Sequence, residues 1–210
     1  MRTSMGSVTL ETKAALEEQG MAALNQARYL AGASFCPPHI HTETTYFPLG
    51  DDMFVKMKEE LEKAEHFIFL EFFIIAQGQV WDRMTEIFRR KAAAGVEVKL
   101  IFDDFGSMMR LPAEQIEALR ESGVEVQIFN PVHHYVNRLY FNYRDHRKIV
   151  CIDGSTAYTG GANVADEYAN LTVRFGYWKD CGVRLDGPGA WGLTREFLHM
   201  WPVSYTHLRA

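Results

Sequence analysis

Short apolar runs alternate with amphipathic segments through much of this chain, and that alternation limits it to one class of fold. Phe54, Met57 and Leu61 recur at helical spacing and form one apolar face. A continuous apolar run at 67–75 follows, and a run of that length indicates a buried strand. Helices that alternate with buried strands predict an α/β fold, with a largely parallel sheet flanked by helices.

Turn residues mark where these elements begin and end. Gly95 and Gly123 each close a predicted helix, Pro112 opens one, and Asp153-Gly154 predicts the tight turn of a hairpin. The predicted helices are 54–64, 80–94, 112–122 and 189–200, and the predicted strands are 67–75, 96–102, 124–129, 147–152, 156–159 and 181–185.

Composition narrows the class of protein further. The chain is 47% hydrophobic, enough for a packed core, and its net charge of −5 argues against a general nucleic-acid binder. Cys36, Cys151 and Cys181 lack metal-binding spacing and are expected to be reduced thiols. The longest apolar run, 67–76, is interrupted by Glu71 and is shorter than the roughly 20 residues that cross a bilayer. No transmembrane segment is therefore predicted.

The strongest chemical signal is the pattern His-x-Lys-x-x-x-x-Asp, formed by His146, Lys148 and Asp153. Alternate side chains of a strand share a face, so His146 and Lys148 are predicted to lie side by side. Lys148 can neutralise the non-bridging oxygens of a phosphodiester, while His146 attacks phosphorus or protonates the leaving oxygen. Asp153 has the opposite parity and lies at the turn, so we expect it to support the hairpin or orient its neighbours.

A second element, Gly160-Gly161-Ala162-Asn163, follows closely. Two glycines let the backbone approach a ligand, and Asn163 can cap a short helix at 164–168 whose N–H groups favour an anion. The Asn163 amide would add a donor beside Lys148. A plain helix cap is the alternative interpretation of Asn163, and both can hold at once.

Together the two elements resemble the signature of the phospholipase D superfamily, and their surroundings resemble the bacterial cardiolipin synthases. The resemblance covers roughly residues 25–202. The flanking blocks that carry it are Phe67–Glu71, Tyr143-Arg144-Asp145, Asp166-Glu167-Tyr168, Phe175–Asp180 and Phe197–Trp201.

This resemblance implies one half of a pseudo-two-fold, two-domain enzyme in which two such motifs meet. One histidine forms a phosphatidyl-histidine intermediate, and the other protonates the leaving alcohol and then activates the incoming one. Donor and acceptor are both phosphatidylglycerol, the products are cardiolipin and glycerol, and no metal or other cofactor is implied. His146, Lys148 and Asp153 would be the catalytic motif residues, with His146 as the nucleophile or the general acid/base. His146, Lys148 and Asn163 would bind the phosphate, and Asp180 would orient the histidine.

The motif occurs once in this chain, and the membrane helices typical of the family are not found. We therefore divide the sequence into a helical lead-in and linker (1–44), a phospholipase-D-like half-domain (45–202) and a tail (203–210) that resembles a translated sequencing adapter. The parent protein is expected to hold a missing C-terminal half with the second motif, and to lie in the bacterial cell membrane through missing N-terminal helices. A homodimer is the other way to bring two motifs together.

Two other functions stay open on the same residues. One is hydrolysis of a phosphodiester, in which water replaces the acceptor alcohol. The other is a catalytically incomplete half-domain that folds or binds lipid without turnover. The expected partners are phosphatidylglycerol and anionic membrane lipid, and no nucleic acid.

Several further polar residues have a structural and a functional interpretation. Glu71 is costly to bury unpaired, so a structural ion pair is favoured over catalysis. Asp103-Asp104 ends a strand and suits either Mg²⁺ or a turn. The histidines at 39, 41, 133 and 134 could bind zinc or simply lie in loops. Arg138, Arg144 and Arg147 could form a basic rim that faces lipid head groups, or could form surface ion pairs.

Overall fold

The computed structural model describes residues 8–33, 36–132 and 142–206, and it contains one seven-stranded sheet with helices packed on both faces. The predicted α/β class is confirmed. The helices are α1 Leu10–Glu18, α2 Met21–Ala33, α3 Gly50–Leu61, α4 Gln79–Ala93, α5 Asp104–Ser107, α6 Ala113–Glu121 and α7 Ala190–Thr206. The strands are β1 Glu43–Phe47, β2 Phe67–Phe72, β3 Glu97–Asp103, β4 Glu125–Phe129, β5 Ile149–Ile152, β6 Thr156–Gly160 and β7 Gly182–Asp186, in the order β1-β7-β6-β5-β2-β3-β4.

The sheet is mixed, which corrects the prediction of a largely parallel one. Only β2, β3 and β4 pair in parallel, and the helices α4 and α6 make the crossovers between them. The other pairs are antiparallel: β2 with β5, β5 with β6, β6 with β7, and β7 with β1. Adjacent strands joined by a short turn must run antiparallel, and the three residues between β5 and β6 leave no room for a crossover.

Strand β2 is the centre of the core because both of its faces are buried. Ile68 and Leu70 face the larger apolar cluster, which includes residues of α3, α4 and α6. Phe69 faces a second cluster under α7, where its ring centroid lies 4.8 Å from that of Phe197. A strand that is buried on both faces has a nearly continuous run of apolar residues, and this run predicted β2 from the sequence.

Several element boundaries differ from the prediction. Strand β2 ends at Phe72, three residues early, and β5 begins at Ile149 rather than at residue 147. Strand β1 and the short helix α5 were not predicted. The lead-in forms the two helices α1 and α2, and the backbone of residues 203–206 continues α7, while 207–210 lie outside the described residues.

Asp153 joins the β5–β6 turn to the start of β2. Its carboxylate accepts three backbone N–H bonds, each 2.8 Å long, from Glu65, His66 and Phe67. Burial alone would raise the pKa of Asp153, but the three N–H donors favour the carboxylate and the pKa is lowered. Asp153 therefore supports the hairpin, in agreement with its parity in the motif.

Replacing Asp153 with Ala is expected to lower the free energy of unfolding by about 2–3 kcal/mol, because three N–H donors lose a charged acceptor. Urea melts of D153A against the parent chain measure this loss, with Glu121→Ala on the exposed end of α6 as the control. The carboxylate form carries the stabilisation, so the gap should narrow in acid as pH falls through the lowered pKa. A D153A chain as stable as the control would remove the anchoring role.

Candidate active site

The motif residues lie at one edge of the sheet, which we call the site edge. Strands β2, β3, β4 and β6 end there, and β5 and β7 begin there. Ligand sites in α/β sheets gather outside the carboxyl ends of parallel strands. The segment 142–148, which carries the motif's histidine and lysine, reaches β5 from this edge.

His146 and Lys148 are in contact, as the strand-parity argument predicted. Lys148 Nζ lies 3.1 Å from His146 Nδ1 and also donates to the main-chain oxygen of His146. The imidazole is exposed, whereas Lys148 is only 6% exposed. Both residues lie in the segment just before β5 rather than within the strand. The pair therefore places an accessible imidazole beside a sheltered ammonium group.

The surroundings of Lys148 favour an anionic ligand. Burial lowers the pKa of Lys148, while the charges of Asp145 and Asp180 act in the opposite direction. The ammonium lies 5.5 Å from the centroid of the Phe73 ring, and that ring lies 4.7 Å from the His146 imidazole. A partly desolvated cation has few water contacts to give up when a phosphate arrives.

The two glycines of Gly-Gly-x-Asn are required by packing against the chain that enters β7. A Cβ atom on Gly160 would lie 2.7 Å from Gly182 Cα, and one on Gly161 would lie 2.9 Å from the carboxyl carbon of Asp180. From the sequence we expected these glycines to let the backbone approach a ligand. In the structure the absence of their side chains leaves space for the segment from Asp180 to Gly182.

Asn163 links two loops of the site edge. Its Oδ1 accepts a 2.9 Å bond from Ile74 N–H, and its Nδ2 donates at 3.0 Å to the hydroxyl of Tyr168. The predicted helix cap is wrong: the short helix is a 3₁₀ turn at Asp166–Ala169, and Ala165 is its cap. Asn163 is buried, and its role as a phosphate donor stays a prediction.

Asp180 lies next to the site but does not contact the imidazole. Its Oδ1 accepts a 2.9 Å bond from Cys181 N–H, and its charge raises the pKa of Lys148. Within 142–206, no hydrogen bond joins Asp180 to His146. Its role in orienting the histidine stays a prediction.

Two buried acids hold the segment 142–148 in place, and the sequence did not identify this role for either. Asp103 accepts a 2.9 Å bond from Asp145 N–H and a 3.1 Å bond from Arg144 Nη1. Glu71 is 0% exposed, and Arg147 Nε lies 2.7 Å from its Oε1, so the predicted structural contact with a cation is present. Burial, together with Asp145, raises the pKa of Glu71 to about 9 against the effect of Arg147.

Among the other metal candidates, Asp104 and His41 have structural partners. Asp104 accepts from Val132 N–H at 2.6 Å, and His41 lies 2.9 Å from Glu11. Among the described residues, no group of three or more His, Cys, Asp or Glu side chains could hold a metal ion. Arg144 and Arg147 pair with acids, which favours the ion-pair interpretation, while the histidines at 133 and 134 and the arginine at 138 lie outside the described residues.

Exposed apolar side chains surround the motif on three loops of the site edge, and we call this set the site rim. Met109 and Val173 are the most exposed, at 86% and 83%. Among the acidic and basic residues on the described parts of these loops, the exposed ones are Arg174, His146 and Lys179, and none is acidic. The rim consists of Phe105, Met108, Met109, Tyr143, Leu171, Val173, Phe175 and Tyr177.

Comparisons with known proteins show the family of this chain. Residues 57–176 match a family model described as the phospholipase-D-like domain of cardiolipin synthase. The major cardiolipin synthase ClsA of Bacillus subtilis is 35% identical over 158 residues, covering 75% of this chain and 33% of that protein. An uncharacterized protein of Streptococcus mutans is 43% identical over 186 residues, covering 89% of this chain and 40% of its own length. The chain thus spans 33 to 40% of these relatives.

Solved structures share the fold at lower identity. Phosphatidylserine synthase from Haemophilus influenzae superposes with a TM-score of 0.57 at 15% identity, over 74% of this chain and 36% of that one. Nuc, a phospholipase D family member from Salmonella typhimurium, superposes with a TM-score of 0.53 at 17% identity, over 79% of this chain and 93% of that one. At such identities the likeness concerns the fold alone.

Replacing Gly160 with Ala is expected to lower the free energy of unfolding by about 1–3 kcal/mol, because the new Cβ meets main-chain atoms that cannot rotate away. Gly192→Ala is the matched control: no heavy atom lies within 4 Å of its added Cβ. This helical site should gain up to about 1 kcal/mol. Thermal or urea melts measure the free energy of unfolding of both variants. Equal changes in the two variants would contradict the packing argument.

Proposed function

The chain belongs to the phospholipase-D-like family of cardiolipin synthases, and from this membership we propose that it forms one phosphate-binding half-site of a phosphatidyltransferase. The enzyme would join two phosphatidylglycerol molecules into cardiolipin and release glycerol. The observation that carries the proposal is the contact between Lys148 Nζ and His146 Nδ1 at the site edge. A cation and an imidazole held together are the two groups that a phosphodiester needs.

In the proposed reaction the phosphate lies against Lys148 and the exposed edge of His146. Because Nδ1 faces Lys148, Nε2 is the nitrogen left to react. If His146 is the nucleophile, Nε2 bonds to phosphorus as the bond to glycerol oxygen breaks, and a second histidine protonates that oxygen. The acceptor hydroxyl then gives a proton to the second histidine and attacks phosphorus, which breaks the phosphorus–nitrogen bond.

The second histidine would come from a C-terminal half of a longer parent protein. The relatives are long enough for such a half, since this chain matches 33% of the B. subtilis enzyme. A second copy of this chain is the alternative source, and the chain without either is the catalytically incomplete case. The missing half is accordingly the principal proposed partner.

The site rim supports lipid as the substrate rather than nucleic acid. Phe175 and Tyr177, on the loop between β6 and β7 at the site edge, are 75% and 68% exposed, whereas nucleic acid would require a basic surface. Exposed apolar side chains next to Arg174 and Lys179 suit the interface of an anionic bilayer, which accepts aromatic rings and attracts cations. No described helix is long and apolar enough to cross a membrane. We therefore propose that the rim meets the membrane surface.

A chimera tests the activity. In it, this chain replaces the matching third of the B. subtilis enzyme, which supplies the remaining two thirds. Purified chimera with labelled phosphatidylglycerol should release cardiolipin and glycerol. His146→Ala and Lys148→Met should each lower kcat by at least about 100-fold, because one removes the reacting group and the other the compensating charge.

The product distinguishes the alternatives. Phosphatidic acid in place of cardiolipin would favour hydrolysis and overturn the transferase proposal. Glu121→Ala is the control for both substitutions, since it lies on the exposed end of α6. A chimera that folds but is indifferent to His146→Ala would exclude the proposed half-site.

Vesicle binding tests the site rim without turnover. The chain should co-sediment with phosphatidylglycerol vesicles more strongly than with phosphatidylcholine vesicles, and added salt should weaken this binding. Val173→Asp with Phe175→Asp should reduce binding to phosphatidylglycerol at least about tenfold, since both substitutions place a charge at the apolar interface. Leu10→Asp, 84% exposed on α1, is the matched control. Equal binding by all three proteins would contradict the proposal.

A further inference from the structure

Three buried oxygen atoms beside the motif have no hydrogen-bond donor among the described residues. They are both carboxyl oxygens of Glu71 and Oδ2 of Asp145. Arg147 Nε lies 2.7 Å from Glu71 Oε1, but this contact lacks the alignment of a hydrogen bond. The same nitrogen lies 3.4 Å from Asp145 Oδ1, so both carboxyl groups meet at one guanidinium. Acceptors left unpaired in a core require an explanation.

The local charges explain them if one carboxyl group is protonated. Glu71 is 0% exposed and Asp145 is 4% exposed, and Arg147 is the cation that contacts both. The far end of that guanidinium lies 3.6 Å from Glu196 of α7, so its charge is already shared. Two buried carboxylates facing one shared cation would leave uncompensated negative charge, which is costly. A proton on Glu71 removes that charge and supplies a donor to Asp145 Oδ2, while Glu71 Oε1 keeps its contact with Arg147.

We propose that Glu71 and Asp145 share one proton, and that this acid pair makes Glu71 a positioning residue for His146. The pair links a rigid strand to the reactive segment. Glu71 lies in the centre of the sheet, between Ile149 of β5 and Ile101 of β3. Asp145 is the residue directly before His146.

Asp145 transmits this constraint to the imidazole through a turn. Its Oδ1 accepts from Arg147 N–H at 3.2 Å, which closes the backbone around His146. Its own N–H donates to Asp103 Oδ2 at 2.9 Å. A proton held between Glu71 and Asp145 Oδ2 would add a third contact that holds Asp145 in place. All three contacts must hold for His146 to keep its place beside Lys148.

The charges around Glu71 define what happens when its proton is lost. From the segment before β5, Asp145 and Arg147 face it, and α7 adds Glu196. Cys151 of β5 also lies near enough for Glu71 to raise the pKa of its thiol. Beyond Asp145 lies Asp103 of β3. Arg147 is the cation in contact with Glu71 and is shared with Asp145 and Glu196, while the charge of Lys148 acts on Asp145. Ionisation of Glu71 in alkaline solution therefore adds a charge that no cation of its own balances, and it should displace the segment that carries His146.

The matched variants are Glu71→Gln and Glu71→Leu. Gln is neutral at every pH and keeps an N–H donor for Asp145, whereas Leu is neutral without a donor. The ring signals of His146 in proton–carbon correlation NMR spectra of the labelled chain report its position, and infrared spectra report a protonated carboxyl group. Both measurements use the chain without substrate.

In the parent chain we expect a carboxylic-acid band at neutral pH, lost in E71Q, and a second movement of the His146 signals in alkaline solution. Lys148 contacts the imidazole and also loses its proton in alkaline solution, so the movement due to Glu71 is the one whose midpoint matches the loss of the acid band. E71Q should abolish that movement and leave the neutral signals unchanged, while E71L should shift the neutral signals. Absence of the acid band, or persistence in E71Q of the movement with that midpoint, would overturn the proposal. So would E71L spectra that match those of E71Q. The infrared result on the parent chain stands even if a variant does not fold.

The positioning role rests on the proposed function, and the chimera assay tests that part separately. There E71Q should keep kcat within about threefold, and E71L should lower kcat about tenfold or more with little change in KM, because the histidine is misplaced rather than the lipid site lost. If the chimera makes no cardiolipin, the proposed function is wrong, but the spectroscopic test of the acid pair still applies. Equal kcat in E71Q and E71L would defeat the positioning role alone.

Discussion

Burial of β2 on both faces is the constraint on which the rest of the structure depends. The start of the strand is fixed where Asp153 accepts its N–H groups, and the chain just beyond its end is fixed where Asn163 accepts from Ile74. In between, Glu71 is a carboxyl group in a strand otherwise made of apolar residues. Asp153 belongs to the His-x-Lys-x-x-x-x-Asp motif and Asn163 to the Gly-Gly-x-Asn element, so both ends of β2 are held by residues of these motifs. The core and the candidate site therefore share one strand, and a change to either affects the other.

Several polar groups of the site are buried. Lys148 is buried beside an exposed imidazole, and the segment that carries both is tied down by Asp103 and Glu71, which are fully buried. A low-dielectric setting makes each ionic contact strong and each unpaired charge costly. Such an arrangement suits a reaction in which charge on a phosphate must be met by groups already in place. It also accounts for a carboxyl group whose pKa lies far above its usual range.

Fold and function have separate support in this protein. The seven-stranded sheet resembles both a phosphatidylserine synthase and the phospholipase D family member Nuc, so the fold is compatible with more than one substrate. The family match over residues 57–176 narrows the choice to cardiolipin synthase-like proteins. The proposed substrate rests on that match and on the site rim, whose apolar loops surround a cationic pair. The proposed half-site rests on one motif in a chain that spans a third of its cardiolipin synthase relative.

By itself the sequence determined the α/β class, most of the helices and strands, and the pairing of His146 with Lys148, because apolar periodicity and strand parity are local properties. It also placed Asp153 in the hairpin rather than at the phosphate. Only the tertiary structure decided the mixed pairing of the sheet, the packing role of Gly160, and the network that joins Glu71, Asp145 and Asp103. The pairing of β2 with β5, the approach of Gly160 to Gly182 and the bond from Asp145 to Asp103 join residues 22 to 84 positions apart. No local pattern encodes which of such distant groups will meet.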